Sequence, residues 1–378
     1  MTDFFFVNSA ADSGGNGTTN DLSGGNHAYQ SILLWEAARA GALSEPMDVA
    51  CTGTNTDQTY INGFTGGFRV SIHANTDTGQ EHGGDTTAGF ELTFASYYNY
   101  VLYISDDNIT IEDFTVTASR ATNGANGGIT CAGANFICNR MILRSLTSAA
   151  QTIYPGINIG AFSDFEINNT LVYNSFEFCV ELNGSATGKI VNSTFNEGNE
   201  AGLQLNDATV TLTNVLVTNT VTASADYTGL AGATISNCYG DDTITGIDVW
   251  TTQNYNDAGS DDFSLKSDET QINDAGGGTV DSDVTGIDIT GADVRGSSTA
   301  SIGAYELVTG GGGRIMGGLA GSGGLAGMGG LAGGGGGLAG RHADWGMHPE
   351  YKSKVVNMFH KRGRPVLRKQ FEYLRKPA

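Results

Sequence analysis

The sequence predicts an all-β chain wound as a solenoid, a single-stranded right-handed parallel β-helix. Three observations carry that expectation. First, a short pattern returns six times between about residues 101 and 239: an apolar residue, any residue, Asn or Asp, then two residues and another apolar one. The copies are Ile111-Glu112-Asp113, Ile137-Cys138-Asn139, Ile167-Asn168-Asn169, Ile190-Val191-Asn192, Leu212-Thr213-Asn214 and Ile235-Ser236-Asn237, the last one imperfect, and their third residues lie 26, 30, 23, 22 and 23 positions apart. Second, another pattern keeps step 10 to 12 residues ahead of it: Leu102-Tyr103-Ile104, Ile129-Thr130-Cys131, Ile157-Asn158-Ile159, Val180-Glu181-Leu182 and Leu203-Gln204-Leu205. Two strands per period in constant phase are the mark of a repeat architecture. Third, the chain has 56 Gly and only 5 Pro, so Gly, Asn and Asp must make its turns, as tight corners between short strands require.

Most of these triplets alternate apolar, polar, apolar, which sends two side chains inward and one outward. One coil of two or three such strands cannot close a core. Stacking coil on coil buries a continuous core and pairs each backbone edge with its neighbour. The column Asp113, Asn139, Asn169, Asn192, Asn214 and Asn237 is then expected to be an inward ladder at one bend, each amide bonding the bend backbone and the next coil. Thr130, Asn158, Glu181 and Gln204 are expected to form a polar outward stripe, most simply a solvated one.

In chain order, Phe4 to Val7 read as a strand and residues 8–25 as a polar loop. Residues 29–40 read as a helix ended by Gly41, with Leu34, Trp35 and Ala38 on its apolar stripe. The first coil of a solenoid leaves apolar surface and backbone edges open, so residues 1–45 are read as an N-terminal strand, loop and capping helix. Strand candidates in the first, irregular coils are Val49–Cys51, Tyr60–Ile61, Phe68–Ile72 and Phe90–Leu92. The polar loop from His73 to Gly89 carries His73, Asp77, Glu81, His82 and Asp85. Nothing in their spacing fixes a metal geometry, so a solvated loop is expected and neither metal nor cofactor is assigned. The five cysteines match no zinc or disulfide framework, and Cys131 sits where an inward apolar residue belongs.

The words SILLWEAARAG, Val49-Ala50-Cys51, TYINGFT and FRVSIHAN, in that order, resemble the N-terminal part of phage-encoded β-helix proteins, mostly virion proteins. The resemblance covers about residues 1–120. Near the end of the body, Thr270 to Gly276, Asp293-Val294-Arg295-Gly296 and Ser301 to Glu306 are similar to the closing module of many bacterial and phage parallel β-helix proteins, with departures at Asn273 and Ser301. The module implies a β-helix over residues 46–308, with Ile272 and Ile302 in the last coil and Arg295 facing Asp274 or Glu306.

Beyond residue 308 the composition breaks. Residues 309–340 form a Gly/Leu/Ala-rich linker or assembly segment in which Leu319, Leu325, Leu331 and Leu338 recur in Gly-Leu-Ala-Gly. A flexible linker, side-by-side packing of extended strands about those leucines and a small-residue membrane-active segment remain alternatives. Residues 341–378 hold ten basic and three acidic residues, a balance of +7, on a chain whose net charge is −21. They read as a basic helical tail. Lys361, Arg362, Arg364, Arg368, Lys369 and Phe371 are the candidate anchor to an acidic surface.

The acidic body argues against nucleic-acid binding. No run of about 20 apolar residues could span a membrane, and the first residues lack a secretion signal. The phage resemblance implies a virion protein assembled in a host cytoplasm. The expected function is a non-enzymatic fibre, spike or decoration protein. Its expected partners are itself, with a trimer favoured by analogy, another virion protein and a host surface glycan. A polysaccharide-binding or depolymerising spike and a bacterial adhesin or filament subunit are the alternatives. Glycoside hydrolysis needs two carboxylates with separated pKa values. The coil register places Glu181 near Glu200 or Glu166 and Glu177 near Glu197, but no catalytic residue is assigned. Lys189 is the single Lys before residue 266, which leaves a lyase base hard to find.

Overall fold

A computed structural model describes the chain from Thr2 to Tyr305, leaving out residues 86, 96–98, 120–125, 147–153, 162, 175, 199, 219–225, 252–254, 258–261, 267–270, 272–275, 278–287, 291–298 and 301–302. Three sheets of purely parallel pairs make the body. From Met47–Thr52 to Tyr227–Thr228 the chain visits them in the same order, coil after coil. Sheet 1 has nine strands, from Asp3–Asn8 and Met47–Thr52 through Phe136–Asn139, Asp164–Asn168 and Thr187–Val191 to Thr234–Ser236. Sheet 2 also has nine, from Thr54–Asn55 through Thr115–Ser119, Ile142–Ser145, Leu171–Tyr173 and Leu216–Thr218 to Asp248–Val249. Sheet 3 has seven, from Thr59–Ile61 through Asn99–Ile104, Ile157–Ile159, Phe178–Asn183 and Ala201–Asn206 to Tyr227–Thr228. The chain is a parallel β-helix, with three strands per coil.

The alternation places the core as anticipated on sheet 3: Leu102, Ile129, Ile157, Val180 and Leu203 stack in register and are buried. Sheets 1 and 2 add their own inward columns, and one apolar core runs from Phe5 to Ile247. Where a ring needs room, glycine supplies it. A Cβ at Gly188 would stand 2.2 Å from the Phe165 carbonyl oxygen, so in the Phe136–Phe165–Gly188–Val210 column the position over Phe165 has no side chain.

The bend between sheets 1 and 2 corrects the ladder. Its members take the left-handed backbone conformation: Asp113, Arg140, Asn169, Asn192, Asn214 and Asn237, with φ between 47° and 64°. Asn139 is not among them. Cys138, not Ile137, pairs with Ile111 and Ile167, so the second copy is shifted by one residue and Arg140 occupies the bend. Each bend N–H donates to the carbonyl before the next bend residue, from Arg140 to Asn168 (3.0 Å), Asn169 to Val191 (3.0 Å), Asn192 to Thr213 (3.0 Å) and Asn214 to Ser236 (3.1 Å). Asn is tolerated in this conformation because its short side chain bonds locally. Asn169, Asn192 and Asn214 are buried, and the Asn214 amide donates to the Asn192 Oδ1 at 3.0 Å. One turn of the stack uses another chemistry: the Arg140 guanidinium grips Asp113 with two bonds of 2.6 Å, while Asn139 donates to Glu112.

The N-terminal strand does not offer a free edge. Residues 17 and 29 bond its outer side through Phe6 N–H to Gly17 O, Tyr29 N–H to Phe6 O and Asn8 N–H to Tyr29 O, which blocks pairing with another chain. The helix is shorter than expected, Ile32–Arg39, with the Ser31 hydroxyl accepting from the Leu34 N–H as its N-cap. It lies against Thr59–Ile61, the end strand of sheet 3. Its buried face also differs from the expected one. Trp35 is buried and packs on Phe64 at 5.4 Å, joined by Ile32 and Glu36, whereas Leu34 is 44% exposed and Ala38 is exposed. Glu36 turns inward because its carboxylate accepts from the Asn62 N–H. Its pKa is raised by that burial, partly offset by the bond.

The three-sheet stack ends at Asp248–Val249. The described strands beyond it pair only with one another, in two two-stranded antiparallel sheets. Trp250, Tyr255, Phe263, Leu265, Ile289, Ala304 and Tyr305 form a second apolar cluster with Ile142, Leu171, Tyr173 and Leu216, which point out of sheet 2. The described part of the closing module therefore lies along the flank of the coils: Gly303 N–H reaches Asn214 O, Ala304 N–H the Thr194 hydroxyl, and the Tyr305 hydroxyl donates to Gly84 O. Ile272, Asp274, Arg295, Ile302 and Glu306 lie outside the described residues. So do the assembly leucines Leu319, Leu325, Leu331 and Leu338 and the tail residues Lys361, Arg362, Arg364, Arg368, Lys369 and Phe371.

Candidate functional site

With the outside of sheet 2 covered by the apolar cluster, the outward polar columns of the described residues lie on sheets 1 and 3. On sheet 3 the outward column is Tyr60, Tyr103, Thr130, Asn158, Glu181 and Gln204, in register from coil to coil. Six positions at a strand spacing of about 4.8 Å make a strip about 24 Å long. Its first part is aromatic. Tyr60 and Tyr103 stack face to face, 5.1 Å apart and 12° from parallel. Tyr100 meets Tyr103 and Tyr154 edge to face at 5.6 and 5.3 Å. Gly127 makes this possible, since a Cβ there would fall 2.3 Å from the Tyr100 ring.

The second part is polar. Asn158 donates to the Tyr100 hydroxyl (3.0 Å) and to Glu181 (3.3 Å); Asn183 donates to Asn158, and Asn206 to both Glu181 and Asn183. These side chains are half-buried. Beside them, the Glu200 N–H donates to Glu177 O at 2.8 Å, so these two glutamates stand one coil apart. Burial, the Glu200 charge and the Glu181 charge push the Glu177 carboxyl up to about 7. Burial also raises Glu181, against the pull of its two amide bonds, and burial raises the hydroxyl of Tyr100.

Sheet 1 is built differently. Its outer face pairs its charges: His73 with Asp48 at 2.9 Å, Arg140 with Glu112 and Asp113, and Lys189 with Glu166 at 3.6 Å. Arg69 donates to the Thr110 hydroxyl and, with Glu166, Lys189 and Thr211, lines a shallow groove. This placement revises the carboxylate pairs expected from the sequence. Glu166 belongs to sheet 1 and to Lys189, not to Glu181. Glu177 has Glu200 and Glu181 as electrostatic neighbours.

The loop after His73 is not simply solvated. His82 is buried, with Nε2 against Arg140 O at 2.6 Å and Nδ1 accepting from the Gly84 N–H at 2.8 Å. No group of His, Cys, Asp or Glu among the described residues has a metal-binding arrangement. All five cysteines are buried free thiols, and burial pushes Cys138 up to about 12. The Asn158–Glu181–Gln204 stripe was visible in the sequence. The tyrosines were not singled out, although Tyr103 stands in the same triplet position and was the available signal.

No family model matches the chain, and no curated protein does. Among solved structures, the crystal structure of pectate lyase Pel9A is similar to it with a TM-score of 0.40 and 12% identity, over 82% of this chain and 97% of that one.

Proposed function

We propose that the chain is a non-enzymatic structural protein of a bacteriophage virion, a fibre, spike or decoration protein. In this reading the coil stack projects outward and its sheet 3 wall contacts a surface glycan. The observation that carries the glycan contact is the strip from Tyr60 to Gln204. A pyranose has an apolar C–H face and a rim of hydroxyls. Tyrosine rings suit the first, and amides and carboxylates, with several acceptors and donors each, suit the second. A pyranose residue is also about as long as one coil is tall, so an extended glycan along the stack axis meets a new set of side chains at each unit. The helix Ile32–Arg39 closes one end of the stack in this proposal. The Gly-rich segment and basic tail assemble or anchor the protein.

Binding of neutral oligosaccharides by the full-length protein, measured by calorimetry, tests the wall. Tyr103→Ala should weaken binding at least about tenfold, and unchanged binding would remove the strip from the proposal. Particle incorporation tests the rest: deletion of residues 341–378 should abolish it. A depolymerising spike is the second reading, favoured by Glu177, whose carboxyl is pushed up to about 7 one coil from Glu200, since a carboxyl raised toward neutrality beside a second one is the start of a hydrolytic pair. Release of reducing ends from polysaccharide, lost in Glu177→Gln, would establish it over the first.

A further inference from the structure

We infer that Asn62 is a site of spontaneous covalent modification, at which the Gly63 nitrogen closes on the Asn62 carboxamide while Asp106 takes its proton. Asn-Gly steps occur in the sequence at Asn16, Asn62, Asn123, Asn126 and Asn183. A glycine has no Cβ to hinder the approach of its nitrogen to the preceding side chain, so an asparagine before it cyclises most readily. The fold then separates Asn16, Asn62 and Asn183, whose side chains are described. Two of them are held. The Asn16 carboxamide accepts from the Thr18 N–H (3.1 Å) and hydroxyl (2.9 Å) and donates to Asn26 (3.0 Å), and the Gly17 N–H donates to His27 O. Asn183 donates to Asn158 at 3.1 Å and accepts from Asn206 at 3.2 Å. Asn62 is exposed, and its side chain has no hydrogen-bond partner among the described residues.

Coil stacking sets a base beside it. Tyr60 pairs with Tyr103 and Ile61 with Ile104, which brings the turn after Ile104 against the turn after Ile61. There Asp106 accepts from the Gly63 N–H at 2.9 Å and from the Phe64 N–H at 2.8 Å. Two bonds fix the carboxylate on the proton that must leave, within the reach a general base needs. Rotation of the free Asn62 side chain brings its Cγ to the Gly63 nitrogen. The new N–Cγ bond forms, the N–H proton passes to Asp106 and on to Nδ2, and the Cγ–Nδ2 bond breaks with loss of ammonia. Water then opens the succinimide at either carbonyl, leaving an aspartyl or isoaspartyl group at position 62. Either product adds a carboxylate near Asp106 and near Glu36, which accepts from the Asn62 N–H. Like charges there repel and loosen the helix Ile32–Arg39 on the strand Thr59–Ile61.

The test ages the full chain at neutral pH and follows its peptides by mass spectrometry, which reads the exchange of an amide for an acid. Asn62 should convert at least about tenfold faster than Asn16 or Asn183, and Asp106→Asn should slow it about a hundredfold, the low end of what a positioned base contributes. Should Asp106→Asn disturb the turn, the pH profile of the unaltered protein decides. With a carboxylate base the rate is level from about pH 5 to about pH 7, above the ordinary carboxylate range. In a free peptide of residues 58–66 the hydroxide-driven rate climbs over the same interval. Conversion at Asn16 or Asn183 as fast as at Asn62, no conversion at any of the three, or a rate that climbs with pH as in the peptide would overturn the inference. Hydrogen exchange across the helix should quicken in the aged protein and not in aged Asn62→Gln; equal exchange in the two would overturn the effect on the helix.

Discussion

Two walls of one coil stack use the same backbone for opposite ends. On sheet 1, charge is consumed within the fold. Arg140 clamps Asp113 and Glu112, Lys189 faces Glu166, and His73 meets Asp48, each across neighbouring coils. On sheet 3, the register positions facing outward hold tyrosines, amides and acids, with no described cation among them. Pairing across coils stabilises a solenoid, because each bond joins units that otherwise meet only through backbone and core. On sheet 3 the bonds across coils run between amides and Glu181 instead, from Asn158 and Asn206 to Glu181 and from Asn183 to Asn158. The difference teaches how one repeat backbone carries two chemistries: ion pairs stitch the coils on sheet 1, while amide bonds and stacked tyrosines stitch them on sheet 3.

Variants can break that contrast. The largest effect is expected from Arg140→Ala. Asp113 and Arg140 side chains are each 11% exposed, so removing the cation leaves a buried carboxylate unpaired, at about 3 kcal/mol in chemical denaturation. Glycan binding should not change. The pair Asp113→Asn/Arg140→Asn, which converts this coil to the chemistry of the coils beyond it, should recover most of that loss. Asn192→Ala comes next, at about 2–3 kcal/mol, because Ala is strained at a positive φ and the buried Asn214 amide loses its acceptor. Asn192→Gly should cost less, since only the second term remains. Tyr103→Ala should reverse the pattern, with about 1 kcal/mol lost from the exposed stacks and a large loss of binding.

Smaller shifts with pH are expected from the histidines, and their signs oppose. Burial holds His82 below its ordinary value despite the bond to Arg140. Its neutral form accepts from the Gly84 N–H, so it contributes stability above the ordinary histidine range that is lost as pH falls through it. Asp113, Arg140 and Asp85 are the charges around it. For His73, burial lowers the pKa, but the Asp48 bond, the Ala74 carbonyl and Glu112 together raise it. Its contribution is present at low pH and lost as pH rises through the raised value. Stability curves of His82→Gln and His73→Gln against pH should therefore deviate from wild type at opposite ends. Deviation at the same end would contradict the two environments.

Much of this architecture could be read from residue order. The strict apolar–polar–apolar triplets of sheet 3 fixed strand faces and register together. The bend ladder was readable to within one residue. Ile137-Cys138-Asn139 fits the written pattern, yet Cys138 is as good an inward residue as Ile, so two frames were equally apolar and only pairing with Ile111 and Ile167 selects one. Arg140 was invisible for a related reason: an arginine in a left-handed bend is sensible only once Asp113 is known to lie beneath it. Sheet 2 went unread because Ile142-Leu143, Leu171-Val172 and Leu216-Val217 bury both faces, which removes the alternation that marks a strand. The outer partner of those residues lies more than thirty positions further along the chain. The helix stripe failed at Leu34 and Ala38 because eight residues carry too little periodicity, and an acceptor for the Asn62 N–H drew Glu36 inward instead.

The most direct measurement is a crystal structure of the protein with a neutral hexasaccharide. The account predicts a chain of sugar rings running along sheet 3, with an apolar ring face on Tyr103 and hydroxyls on Asn158 and Asn183. Density in the Arg69–Lys189 groove of sheet 1 with none on sheet 3 would contradict it.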